Sequence, residues 1–184
     1  MHYFEELVRF LLERDGFWAR TSHRVNLTKE EKRMIGRPSS PRPEIDVLAY
    51  HPRDNVLLVI EVKSYLDSPG VAHEHIDAEF VRGEGYRLFK DEAYRRVLFR
   101  RLQSDLVDEG AINGTVSLLP GIVVGKVKGD EVPLEQFFAQ RGWFFWGPSR
   151  LVEKLARTAD MGYTDNPFVY AAKLLIRNGF RPNR

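Results

Sequence analysis

Three ionisable residues stand in two neighbouring apolar stretches of the sequence, where charged side chains are unusual. Asp46 lies within the stretch 44–50, and Glu61 and Lys63 lie near the end of the stretch 55–64. Ionised groups are rarely buried in a sheet unless they pair with one another or bind a metal ion. Two carboxylates and an ammonium group at one point would form a divalent-metal site with a cation that could hold or activate water.

The elements around these residues must bring them together. Residues 51–55 have the Pro, Asp and Asn composition of a turn, so the two stretches are predicted to pair as a β-hairpin. Alternate residues of a strand point to the same face, so Glu61 and Lys63 share a face, and the hairpin can place Asp46 beside them. The plainer interpretation is a salt bridge between Asp46 and Lys63 at the rim of the sheet.

The order of these residues resembles the PD-(D/E)XK nuclease superfamily, which has the restriction-endonuclease-like fold. The resemblance covers roughly the first 65 residues and rests on three segments: an acidic helix at 5–17, Glu44-Ile45-Asp46 and Glu61-Val62-Lys63-Ser64. It is nearest to the small members of the superfamily, the Holliday-junction resolvases and the YraN-type proteins.

The resemblance implies a metal-dependent endonuclease that hydrolyses phosphodiester bonds, with DNA as the expected substrate. Asp46 and Glu61, with the backbone carbonyl of Val62, would hold Mg²⁺, and Mn²⁺ would substitute for it. Lys63 would position the attacking water or help to deprotonate it. The alternative is a nuclease-fold module that binds nucleic acid or a protein partner without cutting.

Further residues would support this site if the resemblance holds. Glu5 of the N-terminal helix would be a fourth catalytic residue, and Glu6 is the alternative, because a shift of one residue rotates a helical side chain by about 100°. Three residues are auxiliary candidates: Glu44, Ser64 and Gln103.

Two other segments invite a functional interpretation. His73-Glu74-His75-Ile76-Asp77 has the spacing of a histidine metal motif, but the five histidines end at position 75, so a polar loop is the favoured interpretation. The run Trp143–Trp146 could stack on nucleobases, although four consecutive large apolar residues in a strand are more often core.

The charge distribution suggests a nucleic-acid surface. The net charge is only +2, but residues 82–101 hold seven Lys or Arg against three acids. This excess suits a surface that faces a polyanion, and a solvated helix face explains it about as well. The predicted nucleic-acid-binding residues are Arg95, Arg96 and Arg100 of this stretch and Arg37 and Arg42 of the Pro/Arg loop 36–43.

Composition fits one compact domain over residues 1–184. The chain is 43% hydrophobic and has no cysteine, which excludes disulfides and thiolate metal sites and favours the cytoplasm. No apolar run approaches the ~20 residues that span a bilayer. We therefore expect no membrane partner, and a homodimer is a candidate assembly.

The order of predicted elements indicates an α/β fold. Helix 3–14 and strand 17–27 precede a helical turn at 29–34 and the hairpin. An irregular segment follows at 67–85, then helix 86–109, strand 116–127, helix 134–141, strand 142–147 and the C-terminal helices. This order matches the α-β-β-β-α-β core of the superfamily. We expect a central mixed sheet of four or five strands, flanked by helices, with extra C-terminal helices.

Overall fold

A computed structural model describes residues 3–81 and 85–180. Its centre is a five-stranded sheet in the order β1-β2-β3-β4-β5. β2 pairs antiparallel with β1 on one side and with β3 on the other, whereas β4 runs parallel to β3 and β5 runs parallel to β4. The expected α/β architecture with a mixed sheet is confirmed. The strands are β1 Trp18–Arg24, β2 Glu44–His51, β3 Val56–Lys63, β4 Ser117–Val124 and β5 Phe144–Trp146.

Helices cover both faces of this sheet, and the last two of them form the expected C-terminal addition. Within residues 3–81 and 85–180, none of the helices is long and apolar enough to cross a membrane. A short 3₁₀ turn at Thr158–Asp160 joins the last two helices. The helices are α1 Tyr3–Arg14, α2 Lys29–Met34, α3 His73–Asp77, α4 Arg87–Lys90, α5 Glu92–Asp108, α6 Val132–Gln140, α7 Pro148–Arg157 and α8 Pro167–Arg177.

One face of the sheet packs against α1. This helix has apolar residues at helical spacing, and its buried members Val8, Leu11 and Leu12 join Leu58 and Ile60 of β3 in one core cluster. The helix ends before Gly16, whose φ of +93° is a left-handed conformation that glycine adopts without strain. We call this face the α1 face.

The opposite face packs mainly against α5 and α6. Its cluster contains Leu57 and Val59 of β3, Leu98 and Leu102 of α5 and Phe138 of α6. The apolar residues of α5 recur at helical spacing, so one side of the helix is buried. We call this the α5 face.

The long helix predicted over 86–109 is divided in two. Asp91 has an extended backbone (φ −111°, ψ 96°), and its side chain accepts a hydrogen bond from Tyr94 N at the start of α5. Asp91 is therefore the N-cap of a new helix and not a residue inside a continuous one. The segment 67–85, predicted to be irregular, contains the short helix α3. Arg82, at the start of the basic stretch, lies outside the described residues.

The predicted hairpin of β2 and β3 is present. Its ladder pairs Val47 with Ile60, and Asp46 and Glu61 are the next residues beyond that pair. On its other side β3 pairs along its whole length with β4. The charged end of β3 is therefore held by the sheet and cannot move independently of it.

Candidate active site

A cavity of about 370 Å³ opens on the α5 face where the hairpin ladder ends. Asp46, Glu61 and Lys63 all contribute to its lining, as strand alternation predicts. The loop that leads into β2 forms one side, through residues that include Arg37 and Arg42. The remaining wall comes from α4 and α5 and includes Tyr86, Arg87 and Tyr94.

Asp46 occupies the position where the backbone ladder between β2 and β3 stops. Its Oδ2 accepts a hydrogen bond from the backbone N–H of Val62 at 2.7 Å. The side chain thus replaces a strand carbonyl as the acceptor, which satisfies a backbone donor that would otherwise lose its partner. This hydrogen bond fixes the Asp46 carboxylate relative to β3.

Glu61 and Lys63 form an ion pair on the same face of β3. Lys63 Nζ lies 2.8 Å from Glu61 Oε1, and the side chains of Lys63 and Glu61 are only 26% and 19% exposed, respectively. Lys63 therefore pairs with Glu61, whereas the salt bridge considered from the sequence joined it to Asp46. Both groups are recessed, so their interaction is less screened by solvent than a surface pair.

The electrostatics of this pair depend on burial and on Asp46. Burial raises the pKa of Glu61, the Lys63 ammonium opposes that change, and the negative charge of Asp46 adds to it. Burial lowers the pKa of Lys63, but the Glu61 carboxylate outweighs that effect and Asp46 assists it, so the pKa of Lys63 is raised overall. Lys63 is therefore a cation at neutral pH.

The donor set is compatible with a hard divalent cation. Asp46 and Glu61 supply carboxylate oxygens, and the unfavourable influence of Asp46 on ionised Glu61 is one that a cation would relieve. In the part of the chain that the structure describes, no group of three or more His, Asp or Glu is placed to bind a metal ion. Two carboxylates suit Mg²⁺, which keeps several waters, better than they suit zinc, which needs three or four protein ligands.

The two glutamates of α1 differ in their surroundings. Glu6 accepts hydrogen bonds from Thr21 Oγ1 at 3.0 Å and from Arg9 Nε at 2.8 Å, which hold it where α1 packs on β1. Glu5 lines a second cavity of about 250 Å³, together with Val62 and Ser64. This cavity shares no lining residue with the first. The structure therefore does not bring Glu5, Glu6 or Ser64 into the cavity of Asp46.

Of the other auxiliary candidates, Glu44 lies at the cavity and Gln103 does not. Glu44 lines the cavity, and its Oε2 accepts a hydrogen bond from Arg24 Nε at 3.0 Å. Gln103 Nε2 donates to the backbone oxygen of Gly114 at 2.9 Å, which ties α5 to the loop before β4. Gln103 therefore has a structural contact away from the carboxylates.

The three arginines proposed on α5 do not form one surface. Arg95 is directed inward, because its Nη1 donates to the backbone oxygens of Leu88 and Phe89 and its guanidinium lies 4.9 Å from the ring centre of Trp143. Arg96 and Arg100 are exposed, and Arg96 pairs with Glu92. The grouping of Arg95 with a phosphate-facing surface is contradicted by these contacts.

Two tyrosines and one arginine of the cavity wall are not among the site residues predicted from the sequence. Burial, the neighbouring Tyr65 and the Glu61 carboxylate all raise the pKa of Tyr86, whose backbone is left-handed with φ +63°. Burial likewise raises the pKa of Tyr94. Both hydroxyls remain protonated donors near Glu61. Only Arg87 had a signal in the sequence, as one member of the basic stretch.

The remaining candidate segments are structural. His73 packs edge-on against Phe137 at 5.6 Å, and Asp77 lies near Arg141, so neither residue takes part in a metal cluster within the described ranges. Trp143 and Phe145 pack against the α5-face core, and Trp146 is buried in the α1-face core. The aromatic strand β5 is thus core, as the plainer interpretation predicted.

Comparison with known proteins finds a solved structure of low similarity. No protein-family model and no curated protein matches the chain. A crystal structure of AF1548, a protein of unknown function, is similar with a TM-score of 0.41 and 18% sequence identity. The match covers 97% of this chain and 78% of that one. A similarity at this level assigns no function to this chain.

Proposed function

We propose that this protein is a metal-dependent nuclease that hydrolyses phosphodiester bonds, with DNA as its substrate. One observation carries the proposal: Asp46, Glu61 and Lys63 come from two strands and line the same recessed cavity. A structural salt bridge would need only one carboxylate, whereas two carboxylates with a cation beside them suit hydrolysis of a phosphate ester. The resemblance of the sequence to the PD-(D/E)XK superfamily supports the same activity.

Each residue has a role that follows from its contacts. Asp46 and Glu61 would hold Mg²⁺, which when bound supplies Lewis-acid polarisation and a more acidic water. Asp46 is oriented for this by the N–H of Val62. The raised pKa of Lys63 favours a charged ammonium that stabilises negative charge on the phosphate and orients water, rather than a base that removes a proton.

The surroundings of the cavity support an anionic polymer as substrate. Arg37 and Arg42 line the same cavity as the carboxylates, and both come from the loop that precedes β2. Basic side chains at this position would neutralise backbone phosphates on either side of the bond that is cut. On this proposal the phosphate-binding surface is at the loop, and the exposed side of α5 is secondary.

A second candidate function has its own supporting observation. Lys63 is already paired with Glu61, and among the described residues no third His, Asp or Glu forms a group with Asp46 and Glu61 that could hold a metal ion. Such a site would also suit a module that binds nucleic acid without cutting it, with Lys63 and Glu61 serving only as an ion pair. This alternative predicts binding that is indifferent to Mg²⁺.

The deciding experiment is a cleavage assay on plasmid, branched, single-stranded and RNA substrates, with Mg²⁺ and with EDTA. We expect Mg²⁺-dependent cleavage by the native protein and none by the double variant Asp46→Asn/Glu61→Gln. A matched control is Glu30→Gln/Glu135→Gln, which removes two exposed carboxylates outside the cavity and should cut normally. Binding of these substrates without cleavage by the native protein would support the module instead.

A further inference from the structure

Arg87 is the member of the cavity wall whose hydrogen bonding is incomplete. Its Nε donates to Asp91 Oδ2 at 2.9 Å, and its Nη2 donates to the backbone oxygen of Ile35 at 2.8 Å. Its Nη1 is buried and has no acceptor among the described residues, and the side chain as a whole is only 14% exposed. The contacts with Asp91 and Ile35 therefore occupy Nε and Nη2, while Nη1 has no acceptor.

A buried arginine in this state is unusual. Charged donors inside proteins are almost always paired, because an unsatisfied one loses its hydration without compensation. The cost is retained at sites where the missing partner is a ligand. Arginine is well suited to that use, because its guanidinium stays charged and donates charge-assisted hydrogen bonds to a phosphate oxygen.

The guanidinium is also held rigidly. Its Cζ lies 4.3 Å from the ring centre of Tyr94 and 5.2 Å from that of Phe80. Asp91, its ion-pair partner, is at the same time the N-cap of α5. The Nη1 group of Arg87 is therefore oriented before any ligand arrives, which lowers the entropic cost of binding.

The position of Arg87 relates it to the carboxylates across the cavity. Arg87 lines the same cavity as Asp46 and Glu61, but it comes from α4 and not from the sheet. Tyr94 is affected by charges on both walls. Burial raises the pKa of its hydroxyl, the Arg87 guanidinium lowers this pKa and the Glu61 carboxylate raises it. One wall thus offers carboxylates for a cation, and the other offers a guanidinium for an anion.

We infer that Arg87 is a phosphate-binding residue that holds a backbone phosphate of the substrate strand next to the phosphate being cut. This inference rests on the proposed nuclease function for the identity of the strand. Arg87 is a positioning residue here, since the reacting phosphate itself is assigned to Asp46, Glu61 and Lys63. The competing explanation is that Arg87 only ties α4 and α5 to the turn at Ile35.

Arg95 provides a matched control for this inference. It also lies over an aromatic ring and donates to backbone oxygens, but its Nη1 has two acceptors and it does not line the cavity. Arg87→Lys and Arg95→Lys both remove a guanidinium that lies over a ring and is bonded to backbone oxygen. The first also removes the contact of Nε with Asp91, and only the first removes a guanidinium from the cavity.

The test measures the binding of a short, fluorescently labelled single-stranded DNA in EDTA, so that cleavage does not enter. We expect Arg87→Lys to weaken binding about tenfold or more, as for the loss of a charge-assisted hydrogen bond, and Arg95→Lys to change it less than about threefold. Equal effects of the two substitutions, or native affinity in Arg87→Lys, would overturn the inference.

A second measurement does not depend on the folding of any variant. In the native protein, titration with inorganic phosphate should shift the side-chain nitrogen resonances of Arg87 in an NMR spectrum and leave those of Arg95 in place. Unchanged Arg87 resonances at saturating phosphate would overturn the inference. The outcome also separates the two proposals: Arg87-dependent binding without Mg²⁺-dependent cleavage refutes the nuclease while the phosphate site stands.

Discussion

The two faces of β3 differ although they belong to one strand. On the α1 face Leu58, Ile60 and Val62 continue the apolar series to the end of the strand. On the α5 face Leu57 and Val59 are followed by Glu61 and Lys63, and the cavity opens where the apolar series stops. Charge is thus present on one face only, at the end where the hairpin ladder also stops.

The two faces of β3, a strand of eight residues, therefore have different roles: one stabilises the fold and the other carries the candidate chemistry. The α1 face is closed by a helix and contributes apolar burial, which stabilises the fold. Less apolar surface is buried on the α5 face, because the segments around α4 do not cover the end of the strand completely. Buried charge beside a cavity is costly for folding, and proteins keep such charge at functional sites. Substitutions on the two faces should therefore have opposite signatures.

The largest effect on folding is expected on the closed face. Leu58→Ala should lower the free energy of unfolding by about 2–5 kcal/mol, because the substitution leaves a cavity in a fully packed core. Urea denaturation measures the loss. Cleavage per folded molecule should stay at the native level, and a specific defect in cleavage would contradict the separation of the two faces.

On the open face the effect should appear in the rate. Lys63→Ala should reduce Mg²⁺-dependent cleavage by about 10²–10³-fold, because the substitution removes one preorganised charge from the site. Its unfolding free energy should change less than that of Leu58→Ala, because Glu61, whose pKa burial already raises, can take up a proton once Lys63 is absent. Full activity in the purified variant would remove Lys63 from the mechanism.

The titration of Glu61 tests the charged face of β3. Because burial and the charge of Asp46 raise the pKa of Glu61, the native state binds its proton more tightly than the unfolded state does. Stability contributed by Glu61 is therefore highest at low pH and falls as the pH rises from the ordinary pKa of a glutamate to the raised one. Asp46→Asn should lower the pKa of Glu61, as followed by NMR of its carboxyl carbon. An unchanged titration would show that the two carboxylates do not interact.

The smallest effect concerns the surroundings of the cavity. Replacing Arg37 and Arg42 together by alanine should reduce the slope of log affinity against log salt by about 0.7–0.9 for each phosphate that the protein no longer neutralises. Arg96→Ala/Arg100→Ala, on the exposed side of α5, is the matched pair. The proposal fails at this point if the α5 pair flattens the slope and the loop pair does not.

Much of the fold could be predicted because its signals are local. The apolar stretches and the spacing of Val8, Leu11 and Leu12 depend on periods of two or 3.6 residues, and the turn at 51–55 depends on its own composition. The same period of two predicts that Glu61 and Lys63 share a face. The break at Asp91 is also local, but the apolar spacing on both sides of it suggested one continuous helix.

The sequence alone predicts that Asp46, Glu61 and Lys63 lie together, because a hairpin between their two strands brings Asp46 beside the other two. Tertiary structure alone decided which helix residues join it. A helix turns by about 100° for each residue, so the direction of each side chain depends on how the helix packs. This packing turns Arg95 inward and gives Glu5 and Glu6 different surroundings. Arg87 reaches the cavity from a segment 24 residues beyond Lys63, and no local pattern encodes a contact over that separation, because only the packed chain brings the two walls together.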